Sequence, residues 1–298
     1  MLGEVAALAA ALLWALATLL FGQLGKSLLP LGLNLAKGAI ALLLLALTLL
    51  VLGRPPAGLE GWVLVLLLAS GGVGIGLGDT VYFAAINHLG ARRALLMETL
   101  APALAALLAA VGLGEVLSWS AYLGMALTLA GVGWVISQRL PPTAEVTPSP
   151  TPSPGYRGIL YGVLAALGQA SGAVLSRAAL ADTSVDPLWS SLLRLVGGVL
   201  LITTLLASQG QLRHHIKPLE SGRVLALVAV AAVLGTYLGI YLQQIALKYS
   251  PTGVAQALTA TSPLFILPMA VLVGDRVTGR AVGGAVVALV GVVLLVNG

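Results

Sequence analysis

The sequence predicts an all-α integral membrane protein, with ten transmembrane helices forming two inverted five-helix repeats. Three observations carry that prediction. The 298 residues are 59% apolar and 8% charged, with a mean hydropathy of +1.04, whereas a soluble domain carries about 25% charged residues. A chain of this length cannot hide so much apolar surface from water, so its solvent is a bilayer. The apolar residues gather in ten runs, each of about 20 residues, the length a spanning helix needs. The chain also echoes itself. Gly78 to Glu115 returns as Gly235 to Asp275, with Pro102 matching Pro263 and Gly114-Glu115 matching Gly274-Asp275.

In order, the predicted spans cover 4–24, 31–52, 62–88, 92–112, 118–137, 158–180, 187–208, 223–247, 252–273 and 279–297. Glu4 opens the first run, no basic stretch precedes it and the run is long, so it reads as a span and not as a signal peptide. Pro30-Leu31 with Lys37 opens the second run, and Pro187-Leu188 with Arg194 opens the seventh in the same way. The third and eighth runs are long enough to tilt or bend. Gly71, Gly72, Gly74, Gly76 and Gly78 crowd the third. That fits close helix packing, a bend that lets half the helix move, or both. Gly74, Gly76 and Gly78 are the candidate bend there, with Pro102 in the fourth span and Pro263 in the ninth. Gly124 and Gly131 are echoed by Gly284 and Gly291. Gly124, Gly131 and Gly279-x3-Gly283 read as packing surfaces for the fifth and tenth helices. The runs lack the period-2 alternation of a membrane barrel.

Residues 138–157, with PPTAEVTPSPTPSPG at their centre, cannot be helical. They separate a first repeat, 1–137, from a second, 158–298. Five spans per half is an odd number, so the second copy inserts upside down, a layout typical of secondary transporters. Arg54, Lys248 and Arg177 fall toward the amino-terminal side. Lys26, Arg92, Arg93, Arg139, Arg157, Arg213, Lys217, Arg223, Arg276 and Arg280 fall toward the other. Basic loops stay in the cytoplasm. A multi-pass protein of the cell (inner) membrane follows, with both termini extracytoplasmic and the linker inside.

Some chemistry is excluded. There is no cysteine, so neither disulfides nor thiolate–metal sites are available. The net charge of +5 is spread over short loops and forms no nucleic-acid patch. His214-His215 lie in a polar loop and read as solvated. No metal-ligand spacing, phosphate loop or nucleophile elbow occurs, so no metal, cofactor or enzyme activity is expected.

The segments LAPALAALLAAVGLGEVLSWSAYLGMALTLAGVGWVI and TSPLFILPMAVLVGDRVTGRAVGGAVVALVGVVLLV resemble the EamA repeat of the drug/metabolite transporter superfamily. Each has a proline in its fourth helix, an acidic residue about one helix later and a Gly-rich fifth helix. The resemblance covers nearly the whole chain. It implies a transporter fold, and the family includes amino-acid and metabolite exporters and, more distantly, sugar-phosphate and nucleotide-sugar exchangers. Two features depart from the pattern. Many members carry Glu directly before the fourth-helix proline, whereas here Ala101 stands there and Glu98 lies one turn earlier. The small multidrug relatives use a mid-membrane Glu in the first helix. This first helix has Glu4 at its edge and Trp14 inside, which argues against proton–drug antiport by that route.

Asp79 and Glu98 lie inside predicted spans, where a carboxylate costs about 2.5–3.5 kcal/mol and should face a cavity or a partner. Tyr82 shares a helical face with Asp79. Asp79 is either functional or a structural ion pair with Lys37 or Arg194, and Glu98 is the stronger functional candidate. Lys37 and Arg194 occupy matching positions; they either hold an anionic group or neutralise the carboxylates, and pairing is favoured because unpaired charge at that depth is expensive. Trp14, Tyr82, Tyr237 and Tyr241 offer stacking surfaces. Tyr237, Tyr241 and Gln244 follow i, i+4, i+7 spacing. Gln169, Ser171, Gln243, Gln244 and Gln256 supply hydrogen bonds, either to a ligand or between helices. Together these residues describe a polar central cavity.

The reading is therefore a secondary transporter that works by alternating access. It would carry a small polar or amphipathic metabolite, an amino acid among the candidates. Its partners are the lipid bilayer, a small-molecule substrate and protons as a candidate coupling ion; it is expected to be a monomer. An integral-membrane lipid-modifying enzyme or flippase is the rival class. The short loops leave no room for a catalytic domain.

Overall fold

A computed structural model describes residues 1–24, 28–89, 94, 97–137, 156–265 and 279–297. The linker at 138–155 and the part of the ninth predicted span beyond residue 265 lie outside the described residues. Every regular element among them is helical. Six helices are long and apolar enough to cross a membrane, and Leu2–Thr18, Ala101–Leu113 and Trp119–Val135 are shorter apolar helices.

Helix α1 (Leu2–Leu24) is followed by α2 (Pro30–Leu52). Pro30 sits in the first turn of α2, where its missing amide hydrogen costs nothing. Gly53, at φ 58°, ends α2 in the left-handed conformation, with its N–H on the Leu49 and Leu50 carbonyls. The third span is one rod with a π-helical middle: α3 (Gly61–Gly71), π1 (Gly72–Asp79) and α4 (Thr80–Leu89). Next come α5 (Ala101–Leu113), ended by Gly114 at φ 67°, and α6 (Trp119–Ser137).

The second half repeats the plan with α7 (Tyr156–Leu180) and α8 (Pro187–Ser208). Pro187 again occupies the first turn, and here Asp186 caps it, accepting from Leu188 N at 2.8 Å. After short α9 (Leu212–Ile216) comes the eighth span: α10 (Gly222–Ala231), π2 (Ala232–Leu238) and α11 (Gly239–Tyr249). Helices α12 (Thr252–Thr259) and α13 (Gly279–Asn297) follow. The two spans expected to bend are thus the two that carry π-helical turns, at matching places in the echo.

The prolines also behave alike. A turn at Thr99–Leu100, with Leu100 N on Met97 O, precedes Pro102, which then opens α5. A turn at Ala260–Thr261, with Thr261 N on Leu258 O, precedes Pro263. A proline in a helix interior would clash and lose a hydrogen bond, so at both candidate bends the helix breaks first and resumes with the proline in its first turn.

The halves interlock. Helix α1 packs on α10, π2, α11 and α12, while α7 packs on α3, π1, α4 and α5. Likewise α2 lies against π2 and α8 against π1. Glycine permits the closest approaches. A Cβ on Gly71 would lie 1.8 Å from the Arg194 carbonyl oxygen, and one on Gly197 would lie 2.1 Å from that of Leu68.

Helices α6 and α13 form a separate seam. A Cβ on Gly131 would meet Ala288 N at 2.4 Å, and one on Gly291 would meet Thr128 N at 2.4 Å. The seam uses Gly124, Gly131, Gly284 and Gly291. Among the described residues, Gly279 and Gly283 have no such neighbour within 4 Å, so they take no part in this seam. They fall on another face of α13. His215 departs from its reading as a solvated loop residue: it is buried, because α9 folds back over the start of α2 and brings the His215 carbonyl against Gly32. Burial, with His214 beside it, holds its imidazole below the ordinary histidine pKa.

Candidate functional site

A cavity of about 190 Å³ lies where the halves meet. Trp14, Lys37, Asp79, Tyr82, Glu98, Gln169, Arg194 and Gln256 line it, and so do Pro102 and Pro263. Each arrives for a local reason. Lys37 and Arg194 project from the matching helices α2 and α8, seven residues after the prolines that open them. Asp79 ends π1, whose wide turn directs it inward. Glu98 sits just before the break that precedes Pro102.

The charges are not equally partnered. Lys37 Nζ lies 2.6 Å from Asp79 Oδ2, so of the open readings for Asp79 the geometry favours the ion pair with Lys37. The same ammonium lies 5.6 Å from the Phe21 ring centroid and 5.4 Å from that of Phe83. Arg194 is 1% exposed and forms no ion pair among the described residues. Its Nη1 donates to Gln243 Oε1 at 3.2 Å, and its Nε has no hydrogen-bond partner among the described residues. Glu98 Oε1 and Gln256 Nε2 are also buried without a hydrogen bond among the described residues. A buried polar atom left unpaired costs about 1–3 kcal/mol. One acceptor and two donors in a single cavity carry that cost.

The π-helical turns free carbonyl groups that side chains then cap. The Trp14 indole N–H donates to Gly235 O of π2 at 2.7 Å. Asn34 Nδ2 donates to Ile75 O of π1 at 2.9 Å. The Thr80 hydroxyl donates to Gly76 O at 2.6 Å.

Four candidates lie outside the cavity, Ser171 and three residues of the eighth span. The Tyr237 hydroxyl is 2.8 Å from Thr48 Oγ1, Tyr241 packs against the cluster built by α2 and α8, and Gln244 accepts from Ser190 at 2.7 Å. Their common stripe faces α2 and α8, and the next stripe, Thr236, Ile240 and Gln243, faces the cavity. Both stripes have i, i+4, i+7 spacing, so periodicity alone does not choose between them; packing against α2 and α8 does. Sequence reasoning also missed Asn34, Phe21 and Phe83. Asn34 stands three residues before Lys37 in an otherwise apolar run, a signal that was available.

The end of the molecule at the C-termini of α7 and α11 is closed by Glu115. Its Oε1 pairs with Arg177 Nε at 2.5 Å and its Oε2 accepts from Thr252 N, at the start of α12, at 2.7 Å. Arg177 also donates to the carbonyls of Leu247 and Lys248, at 2.9 and 2.8 Å.

Comparison with known proteins agrees with this architecture. One solved structure, described only as the crystal structure of a protein, superposes with a TM-score of 0.77 at 19% identity, covering 98% of this chain and 95% of that one. At that identity the likeness speaks for the fold alone. No curated protein matches. The model of the EamA-like transporter family matches twice, over residues 1–137 and 156–297. Two copies of that unit account for the paired prolines, the paired π-turns and nearly every residue of the sequence, and the chain is a multi-pass membrane protein that belongs to the EamA-like transporter family of the drug/metabolite transporter superfamily.

Proposed function

We propose that this protein is a ten-helix secondary transporter that moves a small polar or amphipathic metabolite, with amino acids as the leading class, by alternating access. The carrying observation is the cavity with its unpartnered groups: Glu98 Oε1, Arg194 Nε and Gln256 Nε2 await a ligand with both donors and acceptors. At about 190 Å³ the cavity is smaller than the roughly 300–1,000 Å³ of drug-sized sites, which favours a small solute. The place of the cavity between two interlocked repeats supports alternating access by rocking of one bundle against the other. No nucleotide-binding motif occurs in the sequence, so a gradient drives transport or transport is passive, with protons as the candidate coupling ion. A monomer in the inner membrane with both termini extracytoplasmic is the arrangement we favour. It predicts that a topology reporter fused after Gly298 is active outside the cytoplasm; cytoplasmic activity would reverse the orientation.

The experiment is reconstitution of the purified protein into liposomes with a metabolite pool under an imposed pH gradient. Saturable, protein-dependent movement of a small polar solute is expected. Release of lipid reporters across the bilayer without solute movement would favour the flippase reading instead.

A further inference from the structure

Lys37 fills a cage at one end of the cavity. Its ammonium touches Asp79 at 2.6 Å and faces the rings of Phe83 and Phe21, which meet edge to face with centroids 6.4 Å apart. All four residues line the cavity. A carboxylate flanked by aromatic faces is the chemistry that recognises an organic ammonium group, and a desolvated setting strengthens it. The walls come from three elements, α1, π1 and α4. The occupant reaches in from a fourth, α2, on a flexible four-carbon stem.

A purely structural ion pair needs one carboxylate for one lysine. Here a second carboxylate waits in the same cavity, since Glu98 Oε1 is buried and has no hydrogen-bond partner among the described residues. We infer that Phe21, Asp79 and Phe83 form a binding site for an organic ammonium group, that Lys37 is its resident occupant in this conformation, and that an amine-bearing ligand takes Asp79 while Lys37 passes to Glu98. The inference rests on the reading of the cavity as the transport site and names the group that receives the ligand's cationic nitrogen.

Charge sets the ligand class. Counted at formal charges, Lys37 and Arg194 balance Asp79 and Glu98. A simple amine would add a charge in a low-dielectric site. A ligand carrying an ammonium and a carboxylate on one small frame keeps the balance, and the free donors Arg194 Nε and Gln256 Nε2 can receive its anionic end.

The test uses the full chain in detergent and n-propylammonium, which matches the atoms that Lys37→Ala removes beyond Cβ. A tethered lysine competes at high effective concentration, so Lys37→Ala should bind the probe at least about tenfold more tightly than the wild type. Uncharged 1-propanol should not bind, and Lys37→Ala combined with Asp79→Asn should lose the gain. In the wild type, Glu98→Gln should weaken probe binding by about tenfold, because displaced Lys37 has nowhere to go; in the Lys37→Ala background it should change nothing. Equal binding by wild type and Lys37→Ala, equal binding of 1-propanol, or indifference to Asp79→Asn would overturn the cage. If Lys37→Ala does not fold, the wild-type arm decides: unchanged binding in Glu98→Gln overturns the exchange. Binding in detergent does not depend on transport, so failure of the liposome assay and failure of the cage are separate results.

Discussion

The two halves bend at the same place with different materials. In π1 the sequence is GVGIGLGD, with four glycines, and in π2 it is AVLGTYL, with one. Aligning Gly78 with Gly235 puts Gly71 against Val228, Gly74 against Ala231 and Asp79 against Thr236. A π-turn therefore does not need glycine. The glycines of the first half answer to their neighbours, because the backbones of α7 and α8 press directly on it: a Cβ on Gly172 would lie 2.9 Å from Gly74 Cα. The charges divide in the same way. Asp79 and Glu98 belong to the first half, and Thr236 and Thr259 stand in the corresponding places in the second. Symmetric scaffolding holds asymmetric chemistry, with Lys37 paired and Arg194 left without a counter-ion among the described residues.

The comparison breaks most forcefully at the ion pair. Asp79→Asn should destabilise the protein by up to about 3–5 kcal/mol, the cost of removing one partner from a buried pair, less whatever Lys37 regains by passing to Glu98. Adding Lys37→Met should recover much of the loss, and thermal melts of the singles and the double in detergent check it. Thr236→Val in the other half should cost far less, since no charge depends on it.

Next comes the glycine contrast. Gly71→Ala should force α3 and α8 apart and cost about 1–3 kcal/mol, the range for overpacking a close contact. At the matching region of the second half, Ala231→Gly should cost only about 0.5–1 kcal/mol, through helix entropy. Similar losses at both positions would mean that π1 is not the tighter interface. The smallest effect is expected from deleting Thr147 to Pro154. The segment is proline-rich and lacks apolar anchors, so folding and transport should stay nearly intact. Loss of membrane insertion would show that its length is needed to join the halves.

The composition and the echo were enough to read the membrane class, the repeat and the charged part of the cavity lining, because hydropathy and proline spacing are written locally. Asp79, Glu98, Lys37 and Arg194 stand out for the same reason: charge inside an apolar run needs an explanation. The faces of the long helices were less legible. Tyr237, Tyr241 and Gln244 obey helical spacing, but so do Thr236, Ile240 and Gln243 one residue earlier, and only tertiary packing decides which stripe meets the cavity. Phe21 and Phe83 were invisible because an aromatic in a spanning helix ordinarily meets lipid or another helix. Only the position of the Lys37 ammonium reveals them as walls of a cage.

The central claim is that negative charge from one half, placed before Pro102 and left without a hydrogen-bond partner among the described residues, is needed for the substrate to bind and move. Glu98→Gln keeps the size of the side chain and removes its charge, so a steric role would survive it. With a substrate identified in liposomes, Glu98→Gln should insert and melt like the wild type and transport at least about tenfold more slowly, a loss of about 1.4 kcal/mol. Wild-type rates from the variant across about pH 5 to 8, the range in which protons at such sites matter to a cell, would contradict the account.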